Sequence, residues 1–117
     1  MDHANAEKRR FIRANFPCKI TINTPKKHLI TTHTENIGAG GVRVLVEEEM
    51  AISSLVELEV SLPKQAIACK GRVVWNIKKN SSYAEQISLF DVGVEFFEIN
   101  QIDKDIVDAF VKSIVVK

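Results

Sequence analysis

The residues best suited to bind a ligand lie in two short stretches of the chain. The first holds three arginines near the N-terminus, Arg9, Arg10 and Arg13, and the second is the glycine-rich stretch at residues 36–41. A guanidinium group is planar and always charged, so it can bond a phosphate through two parallel hydrogen bonds, pair with the edge of guanine, or stack on a purine. A glycine-rich turn leaves backbone N–H groups accessible to an anion. Together the two stretches predict an anion-binding site.

Each stretch has a second interpretation that needs no ligand. Arg9 and Arg13 are four residues apart, so in a helical turn both would project from one side, with Cβ atoms about 6 Å apart, and could grip one ligand. The alternative is a solvated basic flank. In residues 36–41, the glycines could bind an anion or a base edge through the backbone, with Asn36 as a polar partner. The alternative is that they permit positive φ in a tight strand connection.

Length and charge limit the class of protein. The chain has 117 residues, 45% hydrophobic and 26% charged, with a formal net charge of +1. This length is enough to bury the core of one domain without a metal or disulfide, and the overall charge exerts no global attraction toward nucleic acids or membranes. Residues 1–13 alone carry four basic and two acidic side chains, a net charge of +2. Any basic function is therefore expected to be local.

Several functional classes are disfavoured by what the sequence lacks. No apolar run approaches the length of about 18 residues that a membrane span needs, and the polar residues 1–5 do not resemble a signal peptide. We therefore expect a cytoplasmic protein. Cys18 and Cys69 lack metal-ligand spacing, as do the three histidines, which predicts two buried free thiols and no metal site. The serines have no nucleophile-elbow context and no evident base, so we expect no enzymatic activity.

Alternation of apolar and polar residues dominates the middle of the chain and predicts half-buried antiparallel strands. Six short strands favour a closed barrel over an open sheet, because closure removes exposed edges. Residues 81–90 do not discriminate between a loop and the start of a strand. The six predicted strands lie at residues 18–22, 29–34, 41–46, 55–62, 66–77 and 92–99.

The apolar period changes after residue 100 to steps of three and four, which predicts a helix over residues 101–115. Asn100 or Asp103 is placed to cap it. Its apolar stripe would cover one mouth or flank of the barrel, with a dimer contact as the alternative. The stripe consists of Ile102, Ile106, Val107, Phe110, Val111 and Ile114.

These motifs resemble those of the PilZ domain family. The family pattern RxxxR, followed about twenty residues later by D/NxSxxG, is similar in order and spacing to Arg9 through Arg13 and to residues 36–41. The family's first strand and its GxVvW and GvxF strands are similar to residues 16–20, 71–75 and 93–96.

The resemblance covers roughly residues 9–98 and implies a mainly β fold, a six-stranded antiparallel barrel with a C-terminal α-helix. We accordingly predict a flexible tail over residues 1–8 and a single domain over residues 9–117, with the barrel ending near residue 99. The resemblance also implies a ligand, cyclic di-GMP, which is a bacterial second messenger, and no cofactor.

The family's site residues carry over onto four positions of this chain that match its motifs, and Arg10 lies within the first motif. By that resemblance, Arg9 and Arg13 contact guanine edges and phosphates, and Arg10 assists them. Asn36 and Gly41 occupy the outer positions of the second motif.

One motif position departs from the family. Gly38 stands where the motif has serine, so a hydroxyl contact is missing, and losing a charge-assisted hydrogen bond costs about 1.5–3 kcal/mol, roughly ten- to a hundredfold in affinity. On this basis Gly38→Ser is predicted to bind tighter by about 1–2 kcal/mol. Trp75, the single tryptophan, is a further candidate, because its indole could stack on a base. The alternative is that Trp75 belongs to the core.

The leading hypothesis is a receptor that orders residues 1–13 when it binds cyclic di-GMP and signals to an unidentified partner protein. The alternative is a PilZ-like adaptor that no longer binds the nucleotide, which Gly38 favours. A binder of single-stranded nucleic acid would need exposed aromatics among basic residues. With 7% aromatic residues, no DNA or RNA partner is expected.

Overall fold

The computed structural model describes residues 12–79 and 88–115. The tail expected over residues 1–8 lies outside this part of the chain. No helix within it is both long and apolar enough to cross a lipid bilayer. The described elements are β1 (Arg13–Ala14), β2 (Lys19–Asn23), β3 (Leu29–Gly38), β4 (Gly41–Val46), β5 (Leu55–Ser61), β6 (Ala66–Lys79), β7 (Leu89–Glu98) and α1 (Gln101–Val115).

The six longer strands form a closed antiparallel barrel. They are hydrogen-bonded in the order β3-β2-β5-β6-β7-β4, and β4 pairs back with β3. Closure gives each of these six strands a partner on both sides, so within residues 12–79 and 88–115 no long strand edge is left to attract another chain. The predicted six-stranded barrel with a C-terminal helix is therefore confirmed.

The barrel interior is filled by the alternate residues of each strand. In β5, Val56, Leu58 and Val60 are at most 3% exposed, while the residues between them are exposed. Isoleucine and valine dominate the other inward positions. Full burial of such a side chain stabilises the fold by about 1.5–3 kcal/mol relative to its exposure. The alternation in the sequence thus distinguishes residues on the inner face of the barrel from residues on its outer face.

Three strands extend by at least two residues beyond the range that alternation predicts, and one of them, β6, does so only by two residues, to Lys79. β3 continues to Gly38 instead of ending at residue 34, through a register shift between Thr34 and Asn36 in its pairing with β4. β7 begins at Leu89 instead of residue 92. In β3 a bulge breaks the period of two, so this extension escaped prediction. The start of β7 falls within residues 81–90, where the sequence left a loop and a strand start open.

A short strand, β1, adds to the free end of β3 and was not predicted. Arg13 pairs with Gly38 and Ala14 pairs with Ile37. The site is available because β2 pairs with β3 only as far as His33. The end of β3 therefore has β1 on one side and β4 on the other.

Helix α1 begins at Gln101 and is capped by Asn100. The Asn100 Oδ1 accepts a hydrogen bond from the backbone N–H of Asp103 at 2.8 Å. Asp103 lies in the first turn and Lys112 in the last, where each charge is favourable toward the helix dipole. Of the two capping candidates, the structure selects Asn100.

The helix covers a flank of the barrel and packs against β1 and β3. Val107 and Val111 are completely buried, and the ring of Phe110 meets that of Phe16 edge-on, with centroids 5.3 Å apart. Ile102 is 73% exposed, so the prediction that it belongs to the buried stripe is wrong.

Both cysteines are free thiols. Cys18 is buried, as predicted, whereas Cys69 is only half-buried. Desolvation raises the pKa of both thiols, that of Cys69 to about 11. Because the thiolate is the reactive form, neither cysteine is activated at neutral pH.

Candidate functional site

Strand β1 brings Arg13 onto the second motif. The Arg13 Nε donates a hydrogen bond of 2.8 Å to Asn36 Oδ1, and a terminal nitrogen of the same side chain lies 3.4 Å from the Gly41 carbonyl oxygen. In the strand ladder, the backbone of Arg13 pairs with that of Gly38. Four predicted site residues from distant parts of the chain therefore meet at one place. Partial burial lowers the pKa of the Arg13 guanidinium, which still remains charged at neutral pH.

The other two arginines of the first motif, Arg9 and Arg10, lie outside the described residues. For Arg13 itself, the helical turn considered from the sequence is wrong, because this residue lies in a strand. The ordering of residues 1–13 on ligand binding stays a prediction. Arg13 is held by the backbone of Gly38 and by the side chain of Asn36, both groups of the protein itself.

The second motif is a hairpin end and not an extended loop. Asn36 and Gly38 belong to β3 and Gly41 to β4, so only Ala39 and Gly40 form the turn. Among the described glycines none has positive φ. The expectation that these glycines serve a left-handed turn is therefore wrong.

Close backbone approach explains two of these glycines instead. A Cβ at Gly38 would lie 2.7 Å from the Ile12 carbonyl oxygen and 3.1 Å from the Arg13 Cγ. A Cβ at Gly41 would overlap the Val94 carbonyl oxygen on β7. Gly38 thus permits β1 to dock, and Gly41 permits β4 and β7 to close the barrel.

A row of cross-strand partners connects this place to Trp75. Asn36 pairs with Arg43, Arg43 with Gly93, and Gly93 with Trp75. Adjacent strands lie about 4.8 Å apart, so the row extends about 14 Å around the barrel. The neighbours of Arg43 in β4 are buried valines, which places this row on the outer face.

Trp75 lies on the outer face, and its interpretation as a core residue is wrong. It is 38% exposed, and its ring lies across Gly93, where a Cβ would be 2.5 Å from Cδ2 of the indole. The absence of a side chain at Gly93 gives the ring a flat floor. A register shift in β6 between Val73 and Trp75 accompanies this placement. One face of the indole is therefore available to stack on a planar ligand.

Arg43 and Asp91 were missed by sequence reasoning. The Asp91 carboxylate accepts hydrogen bonds from Arg43 Nε at 2.9 Å and from a terminal nitrogen at 2.8 Å. Trp75 Nε1 donates to the same carboxylate at 3.4 Å, and Lys79 Nζ lies 3.9 Å from it. Bonding to Arg43 holds the pKa of Asp91 below its usual value, although burial opposes this. In the sequence, Arg43 stands between two valines of a predicted strand. This pattern does not identify Asp91 as its partner.

Arg13 and this row of cross-strand partners, together called the outer row below, combine three kinds of groups. Arg13 and Arg43 supply forked cationic donors, Asn36 supplies an amide, and Trp75 supplies an aromatic face. Such a set suits a ligand that carries both anionic oxygens and flat aromatic rings. Nucleotides have this chemistry.

Comparison with known proteins agrees with these motifs. The family model described as the PilZ domain matches residues 7–113. No curated protein matches the chain.

Solved structures share the fold at low sequence identity. MotI/DgrA, an inhibitor of motility from Bacillus subtilis, has a TM-score of 0.73 and 20% identity over 90% of this chain and 50% of its own. The PilZ domain of YcgR from Escherichia coli, solved with c-di-GMP, has a TM-score of 0.71 and 13% identity over 92% and 91%. MrkH of K. pneumonia in its apo state has a TM-score of 0.75 and 12% identity over 92% and 50%. The chain thus spans about half the length of MotI/DgrA and MrkH.

Proposed function

The chain belongs to the PilZ domain family, and from this membership we propose that it is a non-enzymatic receptor domain for cyclic di-GMP in the bacterial cytoplasm. The observation that carries the proposal is the 2.8 Å hydrogen bond between Arg13 and Asn36. It joins the first motif to the second on one surface. We further propose that residues 9–117 form one domain.

Two of the structural relatives support the class of ligand. The PilZ domain of YcgR was solved with c-di-GMP. MrkH is described as a c-di-GMP-dependent transcription regulatory factor. The shared fold makes the same ligand the first one to test on this chain.

The chemistry of the ligand fits the outer row. Cyclic di-GMP has two anionic phosphodiesters and two guanines, so its recognition needs forked cations and stacking surfaces. Arg13 and Asn36 form one end of the row and Trp75 the other. Arg9 and Arg10 are assigned to the ligand by the family motif.

The proposed signal is an ordering of the N-terminal segment over the ligand. Because Arg13 is already held by Asn36 and Gly38, the ordering concerns the residues that precede Ile12. The closed segment would change the surface that an unidentified partner protein meets.

A second candidate function is an interaction adaptor that does not bind the nucleotide. Gly38 favours it, because this position lacks the hydroxyl of the family motif. The adaptor would keep the same barrel and use a protein interface.

Isothermal titration of the purified chain with cyclic di-GMP tests the proposal. We expect saturable binding, with much weaker binding of cyclic di-AMP, which has the same phosphates and lacks the guanine edge. Heats that do not saturate would contradict the receptor proposal and favour the adaptor. Tighter binding of a labelled single-stranded oligonucleotide would overturn both.

Gly38→Ser is expected to weaken binding of cyclic di-GMP, in contrast to the gain predicted from the motif alone. Its Cβ would press on the Ile12 carbonyl oxygen and displace β1 with Arg13. We expect a loss of about two- to tenfold, the equivalent of one hydrogen bond of about 0.5–1.5 kcal/mol.

The matched control for this prediction is Gly38→Ala, which adds the Cβ without the hydroxyl. Titration calorimetry of both variants separates the two effects. If serine binds tighter than the parent while alanine binds weaker, then β1 yields and the hydroxyl contacts the ligand, as the motif predicted.

A further inference from the structure

A buried carboxylate lies in the middle of a surface that we assign to a dianionic ligand. Asp91 is 5% exposed and belongs to β7, between the strands that carry Arg43 and Trp75. A negative charge at this place opposes an approaching phosphate by simple Coulomb repulsion. If Asp91 belongs to a ligand site, it must therefore contribute something that offsets this repulsion.

The contacts of Asp91 indicate what that contribution is. Its two oxygens hold Arg43 through a two-point interaction and also accept a hydrogen bond from the Trp75 indole. With Lys79 nearby, the three side chains Arg43, Lys79 and Asp91 carry a net charge of +1. Glu35 acts on Arg43 only by Coulomb attraction, without a hydrogen bond. The carboxylate thus limits the rotation of a cation and an aromatic ring without making the surface negative.

Arg43 retains the capacity to bind a second group. Among the described residues, its hydrogen bonds use only Nε and one terminal nitrogen, both toward Asp91. Its side chain is 35% exposed, and the residue lies directly beside Asn36 in the ladder. The other terminal nitrogen of a guanidinium still carries N–H donors for an anion or a guanine edge.

We propose that Arg43 contacts the bound cyclic dinucleotide between Asn36 and Trp75, and that Asp91 is a positioning residue that holds Arg43 and the indole for it. This inference rests on the proposed function. Preorganised side chains lose less conformational entropy on binding, which is how a buried carboxylate raises affinity for an anion.

Two carboxylates on β7 allow a matched experiment. Asp91→Asn removes one negative charge and weakens the hold on Arg43. Glu95→Gln removes one negative charge from the same strand, where Glu95 lies 3.9 Å from Arg72 Nε; the hydrogen bonds and ion pairs among the described residues join Glu95 to neither Arg43 nor Trp75. Loss of charge alone would tighten the binding of a dianion in both variants. Loss of positioning would weaken it only in Asp91→Asn.

The measurement is isothermal titration of the parent and both variants with cyclic di-GMP. We expect Asp91→Asn to weaken binding about tenfold, and Glu95→Gln to bind within about twofold of the parent or slightly tighter. Arg43→Lys, which keeps the charge but loses the fork, should also weaken binding about tenfold. Asp91→Asn or Arg43→Lys binding as tightly as Glu95→Gln would overturn the inference.

A second readout does not depend on the ligand. Trp75 is the single tryptophan, so its indole N–H gives one assignable resonance in a ¹H–¹⁵N correlation spectrum. Asp91→Asn should shift this resonance and Glu95→Gln should leave it in place, with thermal denaturation confirming that both variants fold. An unmoved resonance would show that Asp91 does not position the ring.

The failure of this inference is distinguishable from failure of the proposed function. If the parent itself shows no saturable binding, then the receptor proposal and the ligand role of Arg43 fail together. If the parent binds and Asp91→Asn matches Glu95→Gln, then only the inference fails.

Discussion

Arg13→Ala is expected to weaken cyclic di-GMP binding roughly ten- to a hundredfold, because it removes a charge-assisted contact of about 1.5–3 kcal/mol. Arg13 is the one arginine of the first motif that the described residues include, and it lies on the outer face against Asn36. Folding should barely change, because this hydrogen bond is solvent-exposed. Titration calorimetry measures the affinity, and thermal denaturation measures the stability.

Two further variants identify the cause of that loss. Lys64→Ala removes one positive charge from the turn between β5 and β6 and should leave the affinity unchanged. Arg13→Lys keeps the charge and should recover only part of the affinity, because an ammonium group cannot form the two-point contact. If Arg13→Ala binds like the parent, Arg13 does not bind the ligand. Arg9→Ala is predicted from the motif to behave like Arg13→Ala.

Gly41→Ala is expected to destabilise the barrel by about 1–3 kcal/mol, the usual penalty for forcing extra volume into a packed region. The new Cβ would meet the Val94 carbonyl oxygen and lie 2.9 Å from the Glu95 Cα. Both contacts are backbone atoms of β7, so they cannot move aside as a flexible side chain would. The β4–β7 pairing must therefore open at this end, which lowers the free energy of unfolding measured in urea.

Gly40→Ala is the matched control, because Gly40 lies in the turn before β4, its φ is not positive, and its contact with β7 is a backbone hydrogen bond from the Phe96 N–H to its carbonyl oxygen, which a methyl side chain leaves in place. It should lose much less stability than Gly41→Ala. Equal losses in the two variants would contradict the role of Gly41 in barrel closure. In that case, the glycine at this motif position would have to be explained by contact with the ligand.

Periodicity predicted the parts of the fold that depend on neighbouring residues. Alternation in β5 follows from the opposite orientation of successive side chains, and the three- and four-residue spacing after Asn100 follows from the helical repeat. The glycine and arginine motifs predicted a site that includes Arg13, Asn36 and Gly41, and the structure brings these three residues together.

Local pattern was insufficient where two properties of a residue compete. Trp75 resembled a core residue, because a large aromatic ring at the end of an apolar strand is usually buried. The glycine opposite it, Gly93, allows the ring to lie flat on the outside instead. Gly38 resembled a turn glycine, whereas its role is to admit the backbone of Ile12. In both cases, the deciding neighbour is distant in the sequence.

The sequence by itself determined a closed barrel with one helix, the family, and a surface with arginine and glycine motifs. Only the tertiary structure decided that Arg13 lies in a strand and that Arg43 is held by Asp91, 48 residues further along the chain. The physical reason is strand register. Shifting one strand by a single residue reverses which side chains face outward, and the register of β4 against β7 is set by closure of the whole barrel.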